Sequence, residues 1–240
     1  MDKIEKLQKM INECNNIVVF TGAGVSTESG IPDFRSNNGL FMMKYKYPPE
    51  VILSHDFFMN HTSLFYEFYR EKMNVLHKKG NIVHEYLYNL EKENKLKCII
   101  TQNIDGLHVL AGNKNVLEFH GSVYRNYCMK CKKFYTAEYV FGGSGTCRCE
   151  CGGIVKPDVV LYGEAIDDHI LKESVSAVSK CDMLIILGSS LTVYPACNLI
   201  EFFKGKYLVI VNRDSTKYDN IADLVINKEL KDVFKHLRVK

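Results

Sequence analysis

The sequence predicts an α/β protein built on a parallel sheet, and three observations predict it. Short apolar runs recur at residues 17–20, 97–101, 115–119, 182–187 and 206–211, with an edge run near 222–226. Helical periodicities fall between most of them, near 2–14, 63–77, 82–95, 167–179, 194–203 and 229–238. Such alternation is the pattern of crossover helices packed over parallel strands. Finally, the first run, Ile17-Val18-Val19-Phe20, leads into Gly22-Ala23-Gly24, a turn whose backbone can approach a pyrophosphate and present helix N–H groups to it.

Taken in order, residues 2–14 carry Ile4, Leu7 and Ile11 on one face of a charged helix, unlike the apolar core of a secretory leader. The glycine turn after the first strand departs from Gly-x-Gly-x-x-Gly by placing Thr27 at the third position, so spacing alone makes a weak dinucleotide match. Its continuation strengthens it. Pro32, Asp33, Phe34 and Arg35 bring a rigid backbone, a carboxylate, a ring and a guanidinium that a plain helix entry does not require. No acidic residue follows a second strand about twenty positions later, which argues against hydride transfer.

Residues 37–80 interrupt the α/β rhythm, and the stripe Leu64, Phe65, Phe68, Val75 and Leu76 within them reads as core packing. After the strand at 97–101 comes Gln102-Asn103-Ile104-Asp105, two amides and a carboxylate at a strand end, where α/β proteins bind ligands. Those groups suit a neutral, amide-bearing ring. The next strand ends in His120-Gly121. Alone, this histidine reads as structural; beside the other blocks it becomes the general-base candidate, because imidazole titrates near working pH.

Residues 125–154 form a second interruption, and five of the nine cysteines fall there: Cys128, Cys131, Cys147, Cys149 and Cys151. Cys128-Met129-Lys130-Cys131 is a C-x-x-C knuckle, and a partner pair follows about 15–20 residues later, as in four-thiolate zinc sites. The second pair is C-x-C. Cys149 and Cys151, before the Gly152-Gly153 turn, complete the set with Cys128 and Cys131, with Cys147 as the alternative partner. A closed site of four thiolates leaves no position for substrate, so the zinc is structural. Cys14, Cys98, Cys181 and Cys197 sit on apolar faces as small core residues.

The bulk numbers bound the class. With 240 residues, 46% hydrophobic and 25% charged, the chain supports one main domain with insertions. The 31 basic and 28 acidic residues give a net charge of +3, without the cationic field of a nucleic-acid binder. No apolar run approaches the roughly 20 residues that span a bilayer. The expectation is a soluble cytoplasmic protein.

In this order, the Gly22–Ser36 block, Gln102-Asn103-Ile104-Asp105, His120-Gly121, the cysteine cluster, Lys156-Pro157-Asp158-Val159-Val160-Leu161-Tyr162-Gly163-Glu164, Gly188-Ser189-Ser190-Leu191 and Val209-Ile210-Val211-Asn212 resemble the sirtuins, the NAD-dependent protein-lysine deacylases. The resemblance spans nearly the whole chain. It implies a Rossmann-like large domain (1–36, 81–124 and 155–240) and a small domain made from the helical insertion 37–80 and the zinc-binding insertion 125–154, with the active cleft between them. It implies NAD contacts from Gly22, Ala23, Gly24, Thr27, Phe34 and Arg35. Gln102, Asn103, Ile104, Asp105 and His120 would line the nicotinamide and ribose region, and Gly188, Ser189, Ser190 and Asn212 the adenosine half, with Arg213, Asp214 and Leu230 bordering the adenine. Val159, Val160, Gly163 and Glu164 match the segment to which the family's peptide substrates add a strand.

The chemistry so implied is attack of an acyl oxygen on the nicotinamide ribose with loss of nicotinamide, Asp105 holding the carboxamide, Asn103 positioning water or ribose, and His120 drawing a ribose proton. NAD is consumed and 2'-O-acyl-ADP-ribose forms. Dicarboxylate-preferring relatives carry a Tyr-x-x-Arg pair in the helical insertion, where this chain offers Tyr69 with Lys72. Lysine is the poorer carboxylate clamp, so acetyl-lysine or another uncharged acyl-lysine is the expected substrate. The other readings are ADP-ribosyl transfer to protein and a non-catalytic reader of NAD or acyl-lysine. The expected partner is an acyl-lysine protein met by a monomer, with neither nucleic acid nor membrane.

Overall fold

A computed structural model describes residues 2–34, 39–42 and 45–239. In chain order the elements are α1 (Lys3–Glu13), β1 (Ile17–Thr21), α2 (Pro49–Ile52), α3 (His55–Asn60), α4 (Thr62–Lys72), α5 (Ile82–Lys92), β2 (Leu96–Thr101) and α6 (Leu107–Leu110). They continue as β3 (Val116–Glu118), β4 (Gly121–Cys128), β5 (Phe134–Tyr135), α7 (Ala137–Gly142), β6 (Val155–Val159), α8 (Asp168–Lys180), β7 (Met183–Leu187), β8 (Tyr207–Val211), β9 (Leu224–Ile226) and α9 (Leu230–Phe234).

Six strands form one parallel sheet in the order β3-β2-β1-β7-β8-β9. Alternate residues point to opposite faces of a strand, and here both faces are covered. Ile17, Val19, Ile99, Ile185 and Val209 pack with Leu7 and Ile11 of α1, Leu87 of α5 and Val233 of α9. Val18, Phe20, Ile100, Ile186 and Ile210 pack on the other side with Val178 of α8 and Leu199 and Ile200. Double coverage is why the strands read as unbroken apolar runs. α1 begins where Asp2 and Glu5 form a reciprocal capping box.

A second body lies beside the sheet. β5, β4 and β6 make a small antiparallel sheet. Phe57, Phe58, Phe65, Tyr66, Phe68 and Tyr69 of the helical insertion pack against Val123, Val140, Phe141, Cys147 and Val155. The sequence reading placed no strand at 121–128 or 134–135. It also ran the helix at 63–77 too far: α4 stops at Lys72, and the Asn74 side chain accepts from Leu76 N–H at 3.3 Å, a local bond that competes with helix. Leu64, assigned to the core stripe, is 41% exposed, and Tyr66 and Tyr69 are buried in its place. The span 194–203 is a 3-10 helix at Ala196–Phe202, and α9 is shorter than its expected 229–238.

Candidate active site

The chain order of the large sheet reverses between β1 and β7, and ligands of α/β proteins bind outside strand ends at such a point. Here the two turns are fastened together. Gly22 N–H donates to Leu187 O at 3.0 Å and Gly24 N–H to Gly188 O at 2.9 Å. Gly188 has φ +57, and a Cβ there would stand 2.7 Å from Gly24 and Val25 backbone atoms, so only glycine fits.

A cleft of about 820 Å³ opens over these turns. Its lining takes in Gly22, Ala23, Gly24, Thr27 and Phe34 after β1, Gln102, Asn103, Ile104 and Asp105 after β2, Gly188, Ser189 and Ser190 after β7, Asn212, Arg213 and Asp214 after β8, and Leu230. From the β2 loop to the β8 loop is three strand spacings, roughly 14 Å. That length, polar at both ends, fits an extended dinucleotide. Arg35 lies outside the described residues.

Ser26 is the hub at the β2 end of the cleft, and sequence reasoning did not single it out. Its Oγ donates to Asp105 Oδ2 at 2.6 Å and accepts from Asn103 Nδ2 at 3.1 Å; the same Nδ2 donates to Gly22 O at 3.0 Å. Burial pushes the Asp105 carboxyl up, opposed by the bonds from Ser26 and Leu107 N–H. Gln102 Nε2 donates to Ser189 Oγ at 2.9 Å, binding the β2 loop to the β7 loop across β1.

His120 is half-buried, and its Nδ1 lies 3.0 Å from Gln102 O. A carbonyl can only accept, so Nδ1 carries the proton and Nε2 is the basic nitrogen. Burial lowers its pKa, partly offset by the Gln102 bond, so the ring is neutral at neutral pH. The following Gly121 has φ +79, and a Cβ there would fall 1.9 Å from Asp158 O. That crowding locks the His120 turn to β6.

The opposite wall of the cleft is Val159, Val160, Leu161, Tyr162, Gly163 and Glu164. Val160 N–H donates to His120 O at 3.0 Å, while Tyr162 pairs with the helical insertion through Leu53 O and His55 N. The Glu164 carboxylate turns inward: it accepts from Leu161 N–H at 2.9 Å and Lys156 Nζ at 3.0 Å, and lies 2.8 Å from His55 Nδ1. It therefore closes this loop. Val193, Tyr194 and Pro195 also line the cleft, and no residue-type signal marked them.

The sulfurs of Cys128, Cys131, Cys149 and Cys151 all lie within 4.8 Å of one another, with Cys128–Cys151 and Cys131–Cys149 both at 3.5 Å. Zn–S bonds of about 2.3 Å in a tetrahedron require sulfur separations near 3.8 Å, so the four thiols fit one zinc. Cys147 is turned away: its Sγ is buried and 3.0 Å from Arg70 Nη2.

Residues 22–195 match the model of the Sir2 family. An NAD-dependent protein deacetylase of Clostridium acetobutylicum is 57% identical over 234 residues, covering 96% of each chain, and one of Clostridium perfringens is 53% identical over 95% of this chain and 96% of its own. A solved Sir2 complex with deacetylated p53 peptide and 3'-O-acetyl-ADP-ribose superposes with TM-score 0.90 at 38% identity, covering 98% of this chain and 96% of the other. Another, Sir2 with p53 peptide and NAD, gives 0.87 at 38% identity over 98% and 96%. The match over residues 22–195 and relatives this similar along nearly their whole length establish that the chain belongs to the Sir2 family.

Proposed function

We propose that this chain removes acyl groups from protein lysines in the cleft described above, with His120 as its base. It is an NAD-dependent protein deacetylase of the sirtuin type. The observation that carries the residue assignment is the bond from His120 Nδ1 to Gln102 O, which leaves a neutral Nε2 to take a proton in the cleft.

NAD, when bound, supplies an activated ribose carbon with nicotinamide as leaving group and is consumed. Backbone groups of Ala23 and Thr27 would hold the pyrophosphate at the switch point, and Gly22 and Gly24, whose own N–H groups are bonded to the β7 turn, let the chain come close to it. Asp105 and Asn103, fixed by Ser26, orient the carboxamide and ribose. Phe34 shields the reacting carbon from water. Ser189, Ser190 and Asn212 hold the adenosine half, bordered by Arg213, Asp214 and Leu230. His120 takes a ribose hydroxyl proton at Nε2. Backbone groups of Val159, Val160 and Gly163 pair with an acyl-lysine peptide, which makes recognition tolerant of sequence. Cys128, Cys131, Cys149 and Cys151 hold zinc as a cross-link remote from the chemistry.

Tyr69 and Lys72 both line the cleft, but Lys72 Nζ is paired with Glu71 at 2.6 Å and lies over the Tyr45 ring, which makes it a weaker carboxylate clamp than arginine and supports an uncharged acyl group. In this reading 37–80 and 125–154 act as one small domain against the sheet domain. The enzyme works as a cytoplasmic monomer without nucleic acid. No helix among the described residues is long and apolar enough to cross a membrane.

The test is mass spectrometry of acetyl-lysine and succinyl-lysine peptides incubated with protein and NAD. Acetyl loss matched by nicotinamide and acyl-ADP-ribose is expected, with succinyl-lysine slow. Equal turnover of both peptides would overturn the acyl preference, and ADP-ribosylated protein with an intact peptide would favour transfer instead.

A further inference from the structure

β4 does not pair evenly with β6. Ser122 faces Asp158 and the ladder resumes only at Asn126 opposite Pro157, so Val123, Tyr124 and Arg125 bulge from it. Bulges re-aim side chains beside active sites, and each of these three residues reaches a different part of the cleft's frame. Val123 N–H donates to Ile104 O at 3.0 Å. The Tyr124 ring covers Gly106, where a Cβ would stand 2.8 Å from it. Arg125 turns back on the strand: Nε donates to Asp158 Oδ2 at 2.7 Å and Nη1 to Glu118 Oε2.

The two carboxylates are placed alike. Glu118 ends β3 two residues before His120, and Asp158 stands two residues before Val160, whose N–H is bonded to His120 O. One guanidinium thus joins the strand that delivers the base to the strand on which the peptide docks. Arg125 does not itself line the cleft. Exposed ion pairs generally contribute little stability, and Arg125 and Asp158 are 39% and 43% exposed; Glu118, at 13%, is the partner left unneutralised inside the frame if Arg125 is lost. Loss of Arg125 therefore disturbs the alignment of the two strands and also costs some stability through the unpaired Glu118.

We propose that Arg125 is a positioning residue for deacylation, setting the register between the His120 turn and the peptide strand through its bridge from Glu118 to Asp158. The inference rests on the deacylase reading above. Its planar fork serves two carboxylates at once; a lysine serves them less well but keeps the charge.

The experiment is steady-state kinetics of Arg125→Met and Arg125→Lys beside wild type, with acetyl-lysine peptide and NAD, plus NAD binding and thermal midpoints. In Arg125→Met, kcat/KM for peptide falls roughly tenfold with a raised peptide KM, while NAD affinity stays near wild type and the midpoint falls by only about 2–4 °C. Arg125→Lys recovers most of the loss. Asp158→Asn costs less in the Met background than alone, because the bridge is already gone. An unchanged kcat/KM in Arg125→Met, a lysine no better than methionine, or parallel losses of NAD binding and thermal stability would each overturn the proposal. A folded wild type inert on the acetyl peptide overturns the deacylase reading and this inference with it, and is told apart because the variants then have no rate to compare.

Discussion

The two walls of the cleft are built by different means. The nucleotide wall hangs from a parallel sheet whose β1 and β7 are buried along their whole length, and its turns are bonded strand to strand through Gly22, Gly24, Gln102 and Ser189. The peptide wall ends a three-stranded sheet with a two-residue edge strand, an aromatic cluster and four thiols. Small bodies that cannot bury enough apolar surface depend on a metal or another cross-link. The difference teaches that one wall follows from the core of the large sheet, while the other adds cross-links to a smaller core of its own. Arg70 illustrates this: its Nε and Nη1 donate to Val140 O and Gly145 O, clamping the helical insertion onto the zinc insertion.

Metal removal should break the contrast most severely. Structural zinc contributes on the order of 10 kcal/mol to the fold of such modules, so Cys131→Ser is expected to lose zinc and deacylation together. Most far-ultraviolet circular dichroism from the sheet domain should survive. Cys147→Ser, outside the four-thiol cluster, is expected to retain one zinc per chain by metal analysis. Equal zinc loss in both variants would refute the ligand assignment.

His120 stands at the seam of the walls, bonded to Gln102 on one side and, through its carbonyl, to Val160 on the other. His120→Ala should lower kcat by about 10²–10⁴ while NAD affinity, measured by calorimetry, persists. The neutral ring is the active form, so activity is full above its pKa and falls as pH drops through it. Since burial lowers that pKa, the acid limb of wild-type kcat/KM is expected below the ordinary histidine value of 6.5. A limb at or above 6.5, or near-normal turnover in the alanine variant, would remove His120 from the base role.

The same contrast governs what could be read from the sequence. The large sheet was legible because double burial writes whole strands as apolar runs: 17–20, 97–101 and 182–187 fall within a residue or so of β1, β2 and β7. The small sheet was not, because β4 carries Tyr124, Arg125 and Asn126 in and beside a bulge, which erases the alternation that betrays a strand. The cysteine cluster was legible through spacing. Which thiol stood apart was decided by Arg70, far away in sequence. Ser26 lay within the first motif, yet its role needs the β2 loop folded against it, and no local pattern states that contact. Val193 and Tyr194 carry no distinctive chemistry and reach the cleft only by the path of the chain after β7.

Acid should sharpen the comparison from the other side, with the smallest effect. Behind the nucleotide wall, His84 and His108 are buried with ring centroids 4.7 Å apart; His108 Nε2 lies 3.2 Å from Thr21 Oγ1 at the end of β1. His84 Nδ1 accepts from Asn81 N–H at 3.2 Å, and the Asn81 side chain donates to Val25 O and Ser29 Oγ, so this cap holds the turn after β1. Protonation would set a second N–H against Asn81 N–H. Burial accordingly depresses His84 to about 4, and burial with repulsion from His84 depresses His108 to about 3. Both folded values lie below the unfolded one. The stability they support is complete above about pH 6.5, and is lost as pH falls from there through the folded values, because the unfolded chain takes up protons that the fold refuses. The loss for His84 is on the order of 3 kcal/mol. His84→Gln keeps an acceptor for Asn81 N–H and removes the His84 titration. Chemical denaturation between pH 7 and 4.5 should therefore give a shallower decline for the variant. Parallel declines would remove His84 from the acid response and leave it to other groups, His108 among them.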